Sequence, residues 1–249
     1  LTKLLLQFLL FILFSCIGTK LYAHSGTFNC DASVPSNTIS LTNNPFDANN
    51  YTYPVANSGA GFQCCGQSAS FICEQFTVNT NANAIGLRVT VSGSNGAVNI
   101  KINDCSTPLT SGQVFCITGG TSYSISICTD ATSSFNVLFE SIGPPTVTAP
   151  TSTTVNCISN IIFQGFTNET IDINSTAPNN PGDYNGLLDC STNCNEVISF
   201  TPTALNPTSI TYNICGDVLA PSCYNNVTNY CTNFTMGINP SLNVSGNGN

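Results

Sequence analysis

The chain has 249 residues, of which 6% are charged and 14 are cysteine, and its formal net charge is −8. An average soluble domain is about a quarter charged, so the surface must be built from Asn, Thr, Ser and Gly. With four basic residues the chain lacks the electrostatic footprint that nucleic acid or an anionic bilayer requires, and with 41% hydrophobic residues it does not fit the disordered signature of low hydrophobicity and high charge.

In chain order, Lys3 precedes an apolar run from Leu4 to Phe14, and small and polar residues follow. This is the layout of a secretory signal peptide, read over residues 1–23, with Ala23 or Ser25 as the last residue removed. A rival is Leu13-Phe14-Ser15-Cys16, which looks like a lipoprotein box with a bulky Phe14. The run is shorter than the roughly 20 apolar residues that a transmembrane helix needs. The opening Leu, in place of Met, reads as an incompletely assigned start. No second run of membrane length follows, so the mature chain is expected to be exported, secreted or held at the outer cell surface, without a transmembrane helix.

Oxidation is then the relevant cysteine chemistry. Beyond Cys16 the disulfide candidates are Cys30, Cys64, Cys65, Cys73, Cys105, Cys116, Cys128, Cys157, Cys190, Cys194, Cys215, Cys223 and Cys231. A metal cluster fits badly, because the sole histidine is His24 and Cys190-x-x-x-Cys194 lacks a well-spaced second pair. The number is odd, which implies a free thiol, an intermolecular disulfide, or a partner outside this sequence.

Residues 24–142 carry a period of two. Leu87, Val89 and Val91 alternate with polar residues, as do Val98, Ile100 and Ile102, and Ser94-Asn95-Gly96 between them predicts a tight hairpin. Further strands are expected over Gln113–Ile117, Ser122–Cys128 and Ser134–Ser141. No segment has a capped helical stripe. Residues 143–154, rich in Pro and Thr, read as a semi-rigid linker. The second module, 155–238, offers strands at 161–163, Thr170–Ile173, Glu196–Phe200, Ile210–Ile214 and Thr232–Ile238, and residues 239–249 read as a linker-like tail. The expectation is all-β: two disulfide-bonded β-sandwich (jelly-roll or Ig-like) modules in tandem. Cys215 with Cys223, and Cys190 with Cys194, would close short loops, and the full connectivity stays open.

Gly61-Phe62-Gln63-Cys64-Cys65-Gly66, then Cys73, Phe76, Asn83-Ala84-Ile85-Gly86-Leu87, Ile102-Asn103-Asp104-Cys105 and Phe115-Cys116-Ile117 together resemble the N-terminal region of large exported Bacteroidetes surface proteins. Phe163-Gln164-Gly165-Phe166, Pro181-Gly182-Asp183-Tyr184-Asn185 and Tyr212-Asn213-Ile214-Cys215-Gly216 are similar to the module that follows there. The resemblance implies type IX secretion with a gliding-motility-associated sorting domain and repeated surface modules. Residues 86–142 also resemble peptidase-associated jelly-roll domains, which serve as accessory binding modules. No sorting domain is present, which reads as an N-terminal fragment of a longer precursor.

Catalysis by a Ser-His-Asp or Cys-His constellation needs an imidazole or other base, and cleavage would remove or strand His24. Glu74, Glu140, Glu169 and Glu196 each stand singly beside strand patterns and read as solvated, so a two-carboxylate scheme has no evident pair and no enzyme is expected. No cofactor is expected except calcium: Asp172, Asp183 and Asp189, among several Asn, supply the oxygen ligands it takes, with ordinary turns as the competing reading. Tyr51, Tyr53, Phe62 and Phe71 line either a binding face or the core, and core is preferred. The expected role is adhesive or structural, with other surface modules, glycans or cell-surface proteins as partners; the alternative is a carbohydrate- or protein-binding accessory module of a secreted hydrolase whose catalytic domain lies elsewhere.

Overall fold

The computed structural model describes residues 28–55, 62–149, 151–154, 158–175, 182–183, 185–188, 191–192, 196–200 and 209–239. The signal peptide, Cys16, Cys157, Asp189, Cys190, Cys194 and residues 240–249 lie outside them. The first part of the chain forms β1 (Ser36–Leu41), β2 (Ala48–Tyr53), β3 (Ile72–Thr80), β4 (Gly86–Ser92), β5 (Val98–Ile102), β6 (Pro108–Leu109), β7 (Val114–Cys116), β8 (Ser122–Thr129) and β9 (Phe135–Ile142).

From β2 onward the pairings nest: β2 with β9, β3 with β8, β4 with β7 and β5 with β6, all antiparallel. The chain is thus one long hairpin, and β9 against β4 with β8 against β5 roll that hairpin into two sheets. Their orders are β2-β9-β4-β7 and β3-β8-β5-β6, with β1 added parallel to β3 at the edge of the second. This is the jelly-roll way of disposing of sheet edges. Alternation puts Val89, Val137 and Phe139 on one inner face and Phe76, Val78, Ile102, Ile125 and Ile127 on the other, in one buried cluster. The Phe76 and Phe139 rings meet across the layers at 5.1 Å. Truncating such a ring to Ala costs about 3–5 kcal/mol, transfer and cavity terms together.

The hairpin expected between Val91 and Val98 does not form, because β4 and β5 belong to opposite sheets. Both runs alternate because each covers the same core from its own side. Neither Asn95 nor Gly96 has the positive φ of a tight hairpin turn; Gly93 does, at 77°. Asn95 instead bonds Thr132 through Nδ2 and accepts from its backbone N–H, and a Cβ on Gly96 would stand 2.5 Å from the Ala131 nitrogen. The Asn-Gly pair permits the close approach of two loops.

The remaining strands are β10 (Thr146–Thr148), β11 (Ser152–Thr154), β12 (Ile158–Gln164), β13 (Phe166–Ser175), β14 (Gly182–Asp183), β15 (Glu196–Phe200), β16 (Ser209–Val218) and β17 (Asn229–Asn239). They make sheets ordered β10-β12-β15 and β11-β17-β16-β13-β14. Ile161 and Phe163 from the first pack on Ile171, Ile173, Ile210, Tyr212, Ile214 and Met236 from the second, in a cluster separate from the jelly-roll core.

Half of the stretch read as a linker is strand. β10 pairs with β12, and β11 runs parallel to β17. Both sit at sheet edges, the one place in a sheet where neighbouring prolines are tolerated. Pro144 and Pro145 lie so close to Gly165 that a Cβ there would be 2.9 Å from the Pro145 Cα, and Gly165 has φ 82°.

Candidate functional site

All ten described cysteines are paired: Cys30–Cys64, Cys65–Cys105, Cys73–Cys128, Cys116–Cys223 and Cys215–Cys231. Disulfides of this number persist in oxidising compartments. Cys73 and Cys128 stand opposite each other on β3 and β8, as Cys215 and Cys231 do on β16 and β17. Cys64, Cys73 and Cys128 form a buried cluster on the outer face of the jelly roll, covered by Cys30, Val34, Cys65 and Phe71. The short loop expected from Cys215 to Cys223 is not made. Cys215 faces Cys231 in register, and Cys223, on the Pro221–Cys223 turn, reaches Cys116 on β7. That bond joins the parts of the chain that carry the two separate cores.

The aromatics go mostly to packing. Tyr53 is fully buried, and its hydroxyl lies 3.0 and 3.1 Å from the carbonyl oxygens of Ile72 and Ile127. Phe71 packs on the cysteine cluster. Tyr51 is half-buried, edge-on to Phe76 at 5.0 Å.

Two glutamates read as solvated are buried: Glu74 is 4% exposed and Glu169 is 6% exposed. Glu74 occupies an inward position of β3, where the alternation that buries Phe76 and Val78 also buries it. Its Oε2 accepts from the Tyr51 hydroxyl at 2.7 Å and from Asn37 Nδ2 at 3.1 Å. Burial pushes its carboxyl above the ordinary range, with the Tyr51 hydrogen bond opposing, and Tyr51 itself is pushed up by burial and by Glu74. Asn37, Tyr51 and Glu74 come from β1, β2 and β3, so the network ties the two sheets and the added edge strand together. Glu140 pairs with Arg88, its register partner, through two contacts of 2.8 and 3.0 Å.

Of the calcium candidates, Asp172 and Asp183 come together at Asn185. Asn185 Nδ2 donates to Asp172 Oδ1 at 2.7 Å, and its backbone N–H donates to Asp183 Oδ1 at 2.8 Å. Its own Oδ1 accepts from the Ile173 N–H. Among the described residues no group of three or more His, Cys, Asp or Glu side chains is arranged to hold a metal ion.

A groove of about 180 Å³ that sequence reasoning missed lies between the approach to β11 and β17, lined by Val147, Ala149, Thr151, Thr232, Phe234 and Thr235. Nothing in the sequence marks it, since Phe234 alternates as a core residue does and stacks on Tyr212 at 4.7 Å. Its volume is below the roughly 300–1,000 Å³ of small-molecule pockets, a size suited to one inserted side chain or sugar ring. Among the described residues no helix is long and apolar enough to cross a membrane. Compared with known proteins, the chain matches no family model, no curated protein and no solved structure.

Proposed function

We propose that the chain is a non-catalytic pair of β-modules from an exported cell-surface or extracellular protein with an adhesive or structural role, of the kind found in the Bacteroidetes surface proteins it resembles. The observation that carries this reading is the disulfide set, which includes a bond between the two parts of the chain that hold separate cores. A cross-linked unit with few surface charges suits contact through many weak hydrogen bonds and does not rely on long-range fields. The buried Glu74 supports the same reading, because its carboxyl is taken up by hydrogen bonds from Tyr51 and Asn37 between the strands. Partners are other surface modules, glycans or cell-surface proteins.

The second reading, an accessory binding module of a secreted hydrolase, is favoured by the jelly-roll strand order and the groove at Phe234. One experiment addresses both. Beads carrying the oxidised chain are exposed to intact cells and to polysaccharide films, and released sugars and peptides are followed in the same wells. Retention on cells without product release is the expected result. Retention on purified polysaccharide alone favours the accessory module, and product release by the purified chain overturns both.

A further inference from the structure

Three of the disulfides lie in series along the chain. Cys30 bonds Cys64 across a sequence separation of 34. Cys64 is joined by one peptide bond to Cys65, which bonds Cys105 across a separation of 40. Eleven positions further on (roughly, by residue numbering), Cys116 bonds Cys223 across a separation of 107. The vicinal pair Cys64-Cys65 is what makes the first two loops abut, so that one loop ends where the next begins.

A pull applied before Cys30 and after Cys231 therefore has a covalent shortcut. It runs Cys30, Cys64, Cys65, Cys105, along the backbone to Cys116, then Cys223, and along the backbone to Cys231. This route has about 20 backbone steps where the linear chain has about 200, which at full extension is about 70 Å against about 700 Å. Residues 31–63, 66–104 and 117–222 hang from the route as closed loops and bear no end-to-end load. Those loops contain β1 to β5 and β8 to β16, which include every strand of the jelly-roll core except β6 and β7; β17 of the second core lies outside them, with residues 229–231 on the route and the rest beyond it. β6 and β7 are the last strands of their sheets and pair over two and three positions, so they can peel without opening either layer. Cys157, Cys190 and Cys194 fall inside the largest loop, and pairing among themselves leaves the route unchanged.

We propose that this chain functions as a tension-bearing link: disulfides in series, joined through Cys64-Cys65 and closed by Cys116–Cys223, carry force past the jelly-roll core, so that load does not unravel it. The inference extends the adhesive or structural reading above, and the two fail separately, because pulling on the isolated chain does not depend on what it attaches to.

The test is single-molecule stretching of the full chain with handles attached by non-thiol chemistry before Cys30 and after Cys231, in oxidising buffer and again after reduction. The reduced chain is expected to lengthen about 630 Å further than the oxidised one. The double variant Cys116→Ser with Cys223→Ser leaves a longer route through Cys73–Cys128 and Cys215–Cys231, and in oxidising buffer it should lengthen about 270 Å further than wild type, or about 140 Å further where Cys157 bonds Cys194 within that route. An oxidised wild-type chain that lengthens as far as the reduced one overturns the proposal. So does a double variant as short as wild type. If the double variant does not fold, the comparison of oxidised with reduced wild type decides.

Discussion

Tyr51 on β2 donates a hydrogen bond of 2.7 Å to Glu74 on β3, across the gap between the two jelly-roll sheets. The folded carboxyl is raised by burial, so it holds its proton more readily than in the unfolded chain. The stability it contributes is fully present below the ordinary carboxylate range and is lost as pH rises through its folded value. Glu74→Gln, neutral at every pH, should therefore gain on wild type at pH 7 and lose that gain near pH 3. Tyr51→Phe removes the bond that opposes the shift, and should move the transition to higher pH. Urea unfolding of the three proteins from pH 3 to 8 checks both; parallel curves would show that Glu74 does not titrate in this window.

Tyr53→Phe removes a hydroxyl lodged between the Ile72 and Ile127 carbonyls in a fully buried position. The expected cost is about 1–2 kcal/mol, read from chemical denaturation with an unchanged m-value.

Cys73→Ala together with Cys128→Ala opens a loop with a sequence separation of 55, which chain entropy prices at about 4 kcal/mol. The bond also anchors the cysteine cluster over the outer face of β3 and β8, so the variant should in addition expose the segment around Cys30 and Cys64 to hydrogen exchange before the core strands.

Gly86 meets Val114 Cγ1 at 2.7 Å from where a Cβ would stand, with Ile142 and Ala220 next at 3.4 and 3.8 Å. Gly86→Ala should lower stability by about 1–3 kcal/mol through overpacking, and loosen the contact between β4, β7 and the turn that holds Cys223. A falling melting temperature, with slower formation of the Cys116–Cys223 disulfide when the reduced chain is refolded with oxidised glutathione as the electron acceptor, followed by mass spectrometry, is the expected pair of readouts.

Non-reducing chymotryptic mapping should recover Cys116 linked to Cys223, and Cys64-Cys65 in a peptide bonded to both Cys30 and Cys105. Recovery of Cys215 with Cys223 would contradict the pairing described here.

β4, β5, β8 and β9 could be read from alternation, because each turns apolar residues to the core. β3 could not, since Glu74 takes an inward position and breaks the apolar rhythm, and the hydrogen bonds that make this tolerable come from β1 and β2, distant in sequence. The hairpin at Asn95-Gly96 failed because period two specifies which face is buried but not which sheet a strand joins. Likewise, Pro and Thr in residues 143–154 signal an edge or a spacer equally well. Cysteine spacing pointed Cys215 to its neighbour Cys223, whereas strand register sets it against Cys231. The groove at Phe234 left no trace, because a cavity depends on what is missing between strands.

The nested pairing also orders the folding of the first part. β5 and β6 are the pair closest in sequence and close the smallest loop, then β4 meets β7, β3 meets β8 and β2 meets β9. Each later pairing starts from ends that the earlier one has already drawn together, so its closure entropy falls from that of the whole intervening chain to that of a few residues. A topology rich in distant contacts is thereby assembled by a sequence of local steps. Cys116 lies on β7 inside that nest and Cys223 beyond β16, so their bond, the longest in sequence among the described cysteines, joins the nested part to a part that folds outside it and records that the two have met.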